Sequence, residues 1–177
     1  MARRDDAPGN SQGVLIMFEA KFNRGLLLFF RLAMGWTFLY AGVTQVTDSK
    51  FTVAGFLGTV KTFHAFYGWF ASPEMAPVFN ILVPWGHLLI GLALVVGLLV
   101  RLSGAFGVFL MIMYYFAHMD FPYIESHLNL IMDYHLVYAA AIAYVMVGRG
   151  GHVFGLDGWL ERGTLVQQHP GLKPLLG

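Results

Sequence analysis

Four long apolar stretches restrict the fold of this chain more than any other feature. Each is close to the roughly 20 residues that a helix needs to cross the hydrocarbon core of a bilayer. Two of them carry no charged residue, and the other two carry one each, Arg31 and Asp133. A soluble helix would expose charged residues to water every few positions. The predicted spans are residues 25–47, 79–100, 102–119 and 128–147.

Composition excludes several classes of protein. Of the 177 residues, 57% are hydrophobic and 12% are charged, whereas soluble domains carry about 25% charged residues. A net charge of +1 provides no basic surface for nucleic acid. The absence of cysteine excludes disulfides, thiolate metal sites and iron–sulfur clusters, and we predict no metal site. The predicted fold class is all-α, a polytopic membrane four-helix bundle.

The segments around the spans complete the predicted organisation. Residues 1–23 form a polar tail, residues 24–148 the transmembrane domain and residues 149–177 a second tail. The loop of residues 48–78 has apolar and aromatic residues at helical spacing. We expect one short interfacial helix there, ending near Ser72-Pro73. It is either a lid over the bundle or a wall of a pocket for a lipophilic substrate.

Lysine and arginine predict the orientation, because cytoplasmic loops are enriched in both. With four spans, both termini lie on one side of the membrane. That side holds nine of the eleven basic residues, and only Lys50 and Lys61 lie on the other. We therefore expect a multi-pass plasma-membrane protein, in contact with lipid, whose N- and C-termini are cytoplasmic. Arg31, near the cytoplasmic boundary, either snorkels to the surface or pairs with Asp157.

Polar side chains collect in the outer half of the predicted bundle, where they are costly and therefore informative. His87 and His135 both lie roughly 10–12 Å deep, at about 1.5 Å per residue. Two histidines at one depth could ligate a haem from both sides. The remaining candidates are Gln45, Tyr114, His118 and Asp133.

The spacing of these candidates along each helix predicts which of them lie on the same face. Tyr114 and His118 are four residues apart and share a face, as do Asn129 and Asp133. Asp133 and His135 would point about 200° apart if both were helical. Since a carboxylate is the more costly group to expose to lipid, we expect Asp133 to face inward and His135 to face an interface.

Several sequence motifs resemble a known family. The first span contains RLAMGWTFLYAG from Arg31, and the second contains WGHLLIG from Trp85, followed by GLLVRLSG from Gly97. The fourth contains NLIMDYHLVYA from Asn129, and the second tail contains GLD from Gly155. Over residues 24–160, this order of motifs is similar to the DoxX family, in particular its DoxD-like branch.

The resemblance implies a four-helix membrane subunit. DoxD-like proteins are linked to thiosulfate:quinone oxidoreductase, which passes electrons from thiosulfate to membrane quinone. Other relatives occur alongside thiol-stress enzymes. Many relatives have a glutamate at the position of His87, so this chain would use an imidazole in place of a carboxylate.

Two functions follow as hypotheses. In the first, the chain is a quinone-linked oxidoreductase subunit. His87 binds a quinone carbonyl, Asp133 exchanges protons, and Tyr114 or Gln45 completes the contacts. His118 and His135 are further cofactor-binding candidates, and haem b is a second candidate cofactor.

In the second hypothesis, the chain is a non-catalytic accessory subunit that braces a larger respiratory or oxidoreductase complex. Either function implies other membrane subunits or further copies of the chain as partners. A transporter is less favoured, because the sequence has no inverted repeat or paired broken helices.

Overall fold

The computed structural model describes residues 9–120, 123–124 and 131–177, and it confirms an all-α membrane bundle. The longest helices are α1 (Gly9–Thr47), α4 (Ala76–Val96), α5 (Val100–Ala117) and α6 (Tyr134–Val147). The shorter helices are α2 (Val53–Leu57), α3 (His64–Phe70), α7 (Asp157–Leu160) and α8 (Thr164–Gln168). Two-residue strands, β1 (Met119–Asp120) and β2 (Tyr123–Ile124), pair antiparallel, and Gly150–His152 and Pro170–Leu175 form 3-10 turns.

Three helices of the described chain, α1, α4 and α5, are long and apolar enough to cross a membrane. The fourth, α6, is equally apolar but has only 14 residues. α1 packs along α4, and α5 packs along α6. The core between these pairs contains Phe38, Leu94, Val100, Ile142 and Val145.

Glycines allow α1 and α4 to cross at close range. A Cβ atom built on Gly42 would lie 2.3 Å from the backbone nitrogen of Leu88, and one on Gly91 would lie 2.3 Å from that of Leu39. No larger residue fits at either position without separating the helices. This crossing brings the last turns of α1 against the middle of α4, where Gln45 meets His87.

The helix ends differ from the predicted spans. α4 stops at Val96 because Gly97 adopts a left-handed conformation with φ of 73°. At the other end of the chain, α1 extends back to Gly9, through most of the predicted polar tail. Every residue from Gln12 to Gly25 is exposed, so this extension lies outside the bundle.

The loop of residues 48–78 contains two short helices where one was predicted. α2 ends at Gly58, and Phe63 begins α3 from a left-handed conformation, so the helix does not continue between them. α2 is attached to α4 because the side-chain oxygen of Asn80 accepts a hydrogen bond from the Val53 amide at 2.8 Å. The Tyr67 hydroxyl ties α3 to α5 by donating to the Met113 carbonyl at 2.7 Å.

The second tail folds against the bundle through two fully buried charged residues. Arg31 donates to the carbonyls of Gly150 and Val153, both at 2.8 Å. Asp157 accepts hydrogen bonds from the amides of Leu99 and Val100 at 2.6 and 2.9 Å. The predicted association of Arg31 with Asp157 is therefore electrostatic, with backbone groups as the direct partners. Arg31 does not snorkel, since it is only 2% exposed.

A polar cluster on the surface of this tail adds a further contact. Glu161 accepts from His152 and from Arg149, the latter at 2.6 Å. The hydrogen bond from His152 and the charge of Arg149 hold the pKa of Glu161 below its usual value of 4.5. Together with Arg31 and Asp157, these contacts close one end of the bundle.

Candidate functional site

A pocket of about 390 Å³ lies toward the opposite end of the bundle, among α1, α2, α4, α5 and α6. Its polar lining contains the sequence-predicted residues Gln45, His87, Tyr114, His118 and His135, together with Thr37, Thr52, Tyr134 and Tyr138. Its apolar lining includes Phe38, Phe56, Leu57, Val83 and Met111. Residues that the sequence places on four separate helices therefore converge on one cavity.

His87 is buried on α4 and is held by contacts on three sides. Its Nδ1 lies 2.9 Å from Oε1 of Gln45 on α1. The ring of Tyr114 stacks parallel to the imidazole, with centroids 5.6 Å apart, and Phe38 packs against it at the same centroid distance. These contacts fix both the position and the tilt of the imidazole.

His118 directly follows α5 and shares a face with Tyr114, as the spacing predicted. Its Nδ1 donates to the Tyr114 carbonyl at 3.0 Å. Its ring centroid lies 4.7 Å from that of His135 and 4.7 Å from that of Phe56. The contact with Phe56 shows that α2 forms a wall of the pocket.

Asp133 and His135 form a hydrogen-bonded pair at the start of α6. Asp133 has an extended conformation, with φ of −109° and ψ of 157°, and it caps the helix that begins at Tyr134. Its Oδ2 accepts from Nδ1 of His135 at 2.6 Å, and its Oδ1 accepts from the His135 amide at 3.3 Å. Both side chains are only 6% exposed.

The prediction that His135 faces an interface was wrong. The angle of 200° applies only if both residues are helical, and Asp133 precedes the helix. An extended N-cap residue turns its side chain back over the first helical turn, so Asp133 contacts His135. Asn129, which was expected to share a face with Asp133, lies outside the described residues.

The three histidines of the pocket share one arrangement of hydrogen bonds. In each, Nδ1 is bonded to an oxygen atom of the protein, from Gln45, Tyr114 or Asp133. A neutral imidazole with its proton on Nδ1 has an acceptor at Nε2. No described protein group is hydrogen-bonded to these Nε2 atoms or to the Tyr114 hydroxyl. Among the described residues, the three imidazoles thus offer a ligand acceptors at Nε2, and Tyr114 offers its hydroxyl.

The arrangement does not fit a haem ligated by His87 and His135. The ring of Tyr114 contacts both imidazoles, at centroid distances of 5.6 and 5.7 Å. A porphyrin between the histidines would require this tyrosine to leave its place. Among the described residues, no group of three metal-ligating side chains could hold a metal ion.

The apolar residues that α1 and α5 contribute to the pocket were missed in the sequence. Phe38 and Ala41 lie on the same face of α1 as Gln45, at i, i+3 and i+7, and all three line the cavity. Met111 lies one turn before Tyr114 on α5. The helical spacing from the polar candidates could have identified these residues, since neighbours on one face approach the same ligand.

In a comparison with protein families, the model of the DoxX family matches residues 26–119 of the chain. The chain belongs to the DoxX family. DoxX is a membrane family that is often associated with oxidoreductase-related subunits. Comparison with curated proteins and with solved structures found no significant match.

The segment that matches DoxX contains only part of the pocket lining. Gln45, His87, Tyr114 and His118 lie inside the matched segment, whereas Asp133 and His135 lie beyond it. α6 thus adds the hydrogen-bonded Asp133–His135 pair to a pocket that the matched helices otherwise build.

Proposed function

We propose that this DoxX protein is a membrane subunit of a quinone-linked oxidoreductase and binds the head group of a membrane quinone in the pocket. The observation that carries this proposal is the convergence of three anchored histidines and Tyr114 on one largely apolar cavity. Pockets for small ligands typically combine apolar walls with a few placed polar groups. A quinone head requires this combination, because a flat ring carries two polar oxygens.

The hydrogen-bonding groups suit both redox forms of the head. A quinone has two carbonyl acceptors, and the Tyr114 hydroxyl supplies a donor. A quinol has two hydroxyl donors, and Nε2 of His87 or His135 supplies an acceptor. The same side chains can therefore hold the ring while its oxygens gain or lose protons.

The Asp133–His135 pair supports a proton-exchanging role for His135. The carboxylate fixes the tautomer of the imidazole and stabilises the positive charge that forms when Nε2 accepts a proton. Asp133 is absent from the lining of the pocket. We therefore assign Asp133 as a positioning residue that acts through His135. This role replaces the direct proton exchange with the quinone that the sequence suggested for Asp133.

The DoxD-like assignment and thiosulfate as the electron donor rest on the resemblance of the sequence motifs. Thiosulfate is a dianion, and the described lining of the pocket contains neither lysine nor arginine. We place any thiosulfate chemistry away from this pocket, on a partner subunit or on the surface near Lys50.

A direct test uses the protein purified in mild detergent. We expect a colourless protein whose lipid extract contains quinone, and which binds added quinone saturably at about one per chain. Absorption spectra of the oxidised and dithionite-reduced protein should lack a Soret band. Absence of both co-purified and saturable quinone would contradict the proposal, and a sharp reduced α-band would replace it with a haem protein.

The accessory role has support from the extension of α1. Large apolar side chains from Val14 to Phe18, and Phe22, are at least 60% exposed. A helix with such a surface suits association with a partner subunit or a second copy. This observation supports partners for the protein and is compatible with a quinone site.

We further propose a plasma-membrane location with both termini cytoplasmic, from the distribution of basic residues. The chain has no cysteine, so single cysteines report topology directly. Lys50→Cys should react with an impermeant maleimide in whole cells, and Gly171→Cys should react only after lysis. The reverse pattern would invert the orientation.

A further inference from the structure

A second, larger cavity lies along α4 and α5. It is a groove of about 960 Å³ that extends from Leu57 and Tyr67, near α2 and α3, to Leu98 and Leu99 in the turn after α4. Its lining is almost entirely apolar, and several of its residues are exposed at the surface of the bundle, where lipid would lie. The groove is therefore open laterally, toward the bilayer.

Away from its junction with the pocket, the described lining of the groove has no unpaired side-chain polar group that could recognise a polar ligand. Tyr67 donates its hydroxyl to the Met113 carbonyl, and Ser103 donates to the Leu99 carbonyl at 3.0 Å. The remaining polar residue, Tyr114, lies where the groove meets the pocket. The chemistry of the groove thus suits a hydrocarbon chain.

The groove and the histidine pocket adjoin each other. Leu57, Val83 and Tyr114 line both cavities. From Val83 to Val96 the groove follows α4 for about 20 Å, at 1.5 Å per residue. A ligand with its polar head in the pocket would therefore extend an apolar tail past Tyr114 and along α4.

We propose that this groove holds the polyprenyl tail of the quinone, and that the head reaches the pocket laterally from the bilayer between α4 and α5. This inference rests on the proposed function, because it assumes that the pocket binds a quinone head. It adds the class of substrate, a lipid quinone with a long tail, and its route of access. The alternative occupant is an ordinary acyl chain of the bilayer, which would fill the groove without contributing to quinone binding.

Gly86 provides a means of blocking the groove without disturbing the packing of the helices. It lines the groove on α4, and a Cβ atom added there has no heavy atom within 4 Å. The side chain in Gly86→Trp would therefore occupy the groove next to the junction at Val83. Gly25→Trp is a matched control, because Gly25 has equal space around it and lies on the exposed part of α1.

The experiment compares a tail-less quinone with a long-tailed quinone in protein reconstituted into nanodiscs, with the long-tailed form expressed as a mole fraction of lipid. We expect Gly86→Trp to weaken binding of the long-tailed quinone by about tenfold or more, equivalent to about 1.4 kcal/mol of binding free energy. Affinity for the tail-less form should stay unchanged, and Gly25→Trp should match the unsubstituted protein. Leu89→Trp, at an exposed position of the groove, should repeat the effect independently.

The outcomes separate this inference from the proposed function. If the unsubstituted protein binds neither quinone, the proposed function fails. If it binds both and the two groove variants bind the long-tailed form normally, the groove holds lipid acyl chains and only this inference fails. The inference would also be overturned if the two variants lost affinity equally for the tail-less and the long-tailed quinone. The substitutions would then act on binding of the head group and not of the tail.

Discussion

Replacement of His87 by alanine is expected to weaken quinone binding by about 10- to 100-fold. The variant removes the Nε2 acceptor of α4 and leaves the side chain of Gln45 without its partner. A ligand oxygen that is buried without its hydrogen-bond partner costs about 1.5–3 kcal/mol, which corresponds to this range of affinity. In membranes that contain the complete oxidoreductase, quinone-linked turnover should be lost while the amount of protein stays unchanged.

The control for this variant is His64→Ala. His64 also bonds through Nδ1 to a backbone carbonyl, that of Val60 at 2.8 Å, but it is exposed on α3 and does not line the pocket. Binding is measured by titration of a tail-less quinone against protein fluorescence. Equal affinities of His87→Ala, His64→Ala and the unsubstituted protein would show that the head group binds elsewhere.

Replacement of Arg31 by methionine should release the second tail from the bundle. The guanidinium satisfies three backbone carbonyls, of Gly150, Val153 and Phe154, and its charge offsets that of the fully buried Asp157. Loss of one partner from a buried pair of charges costs about 3–5 kcal/mol. We expect the thermal midpoint in detergent to fall by about 10 °C, and protease to cleave beyond residue 149 much faster.

The matched control is Arg24→Met, which removes the same charge from an exposed position of α1. The double variant Arg31→Met with Asp157→Asn should lose less stability than the sum of the two single variants, because it removes both charges. An unchanged cleavage rate in Arg31→Met would show that other contacts hold the tail.

The sequence was sufficient to predict the class of fold and several of the polar residues that line the pocket. Uncharged apolar runs locate membrane helices, and polar residues within them are costly enough to mark a site. His87 and His135 were placed at one depth by counting residues along each helix, and both line the pocket. The identity of the ligand does not follow from these considerations and stays a prediction.

Helical periodicity could not predict the direction of the Asp133 side chain at the start of α6, because this residue precedes the helix. An aspartate before an apolar run is a known signal for the N-terminus of a helix, and with Asp133 as the N-cap the pairing with His135 would have been expected. α2 and α3 are held to different helices of the bundle, by the hydrogen bonds of Val53 with Asn80 and of Tyr67 with Met113. Such contacts between distant segments leave no periodic pattern in the sequence.

The shortness of α6 has a consequence for the surrounding lipid. Its 14 residues extend only about 21 Å, whereas the hydrocarbon core is about 30 Å thick. Hydrophobic mismatch of this kind draws the lipid head groups inward beside the short helix. The flank formed by α6 therefore favours a locally thinned bilayer, and at the Asp133 end this brings the aqueous boundary closer to His135, for which we propose a role in proton exchange.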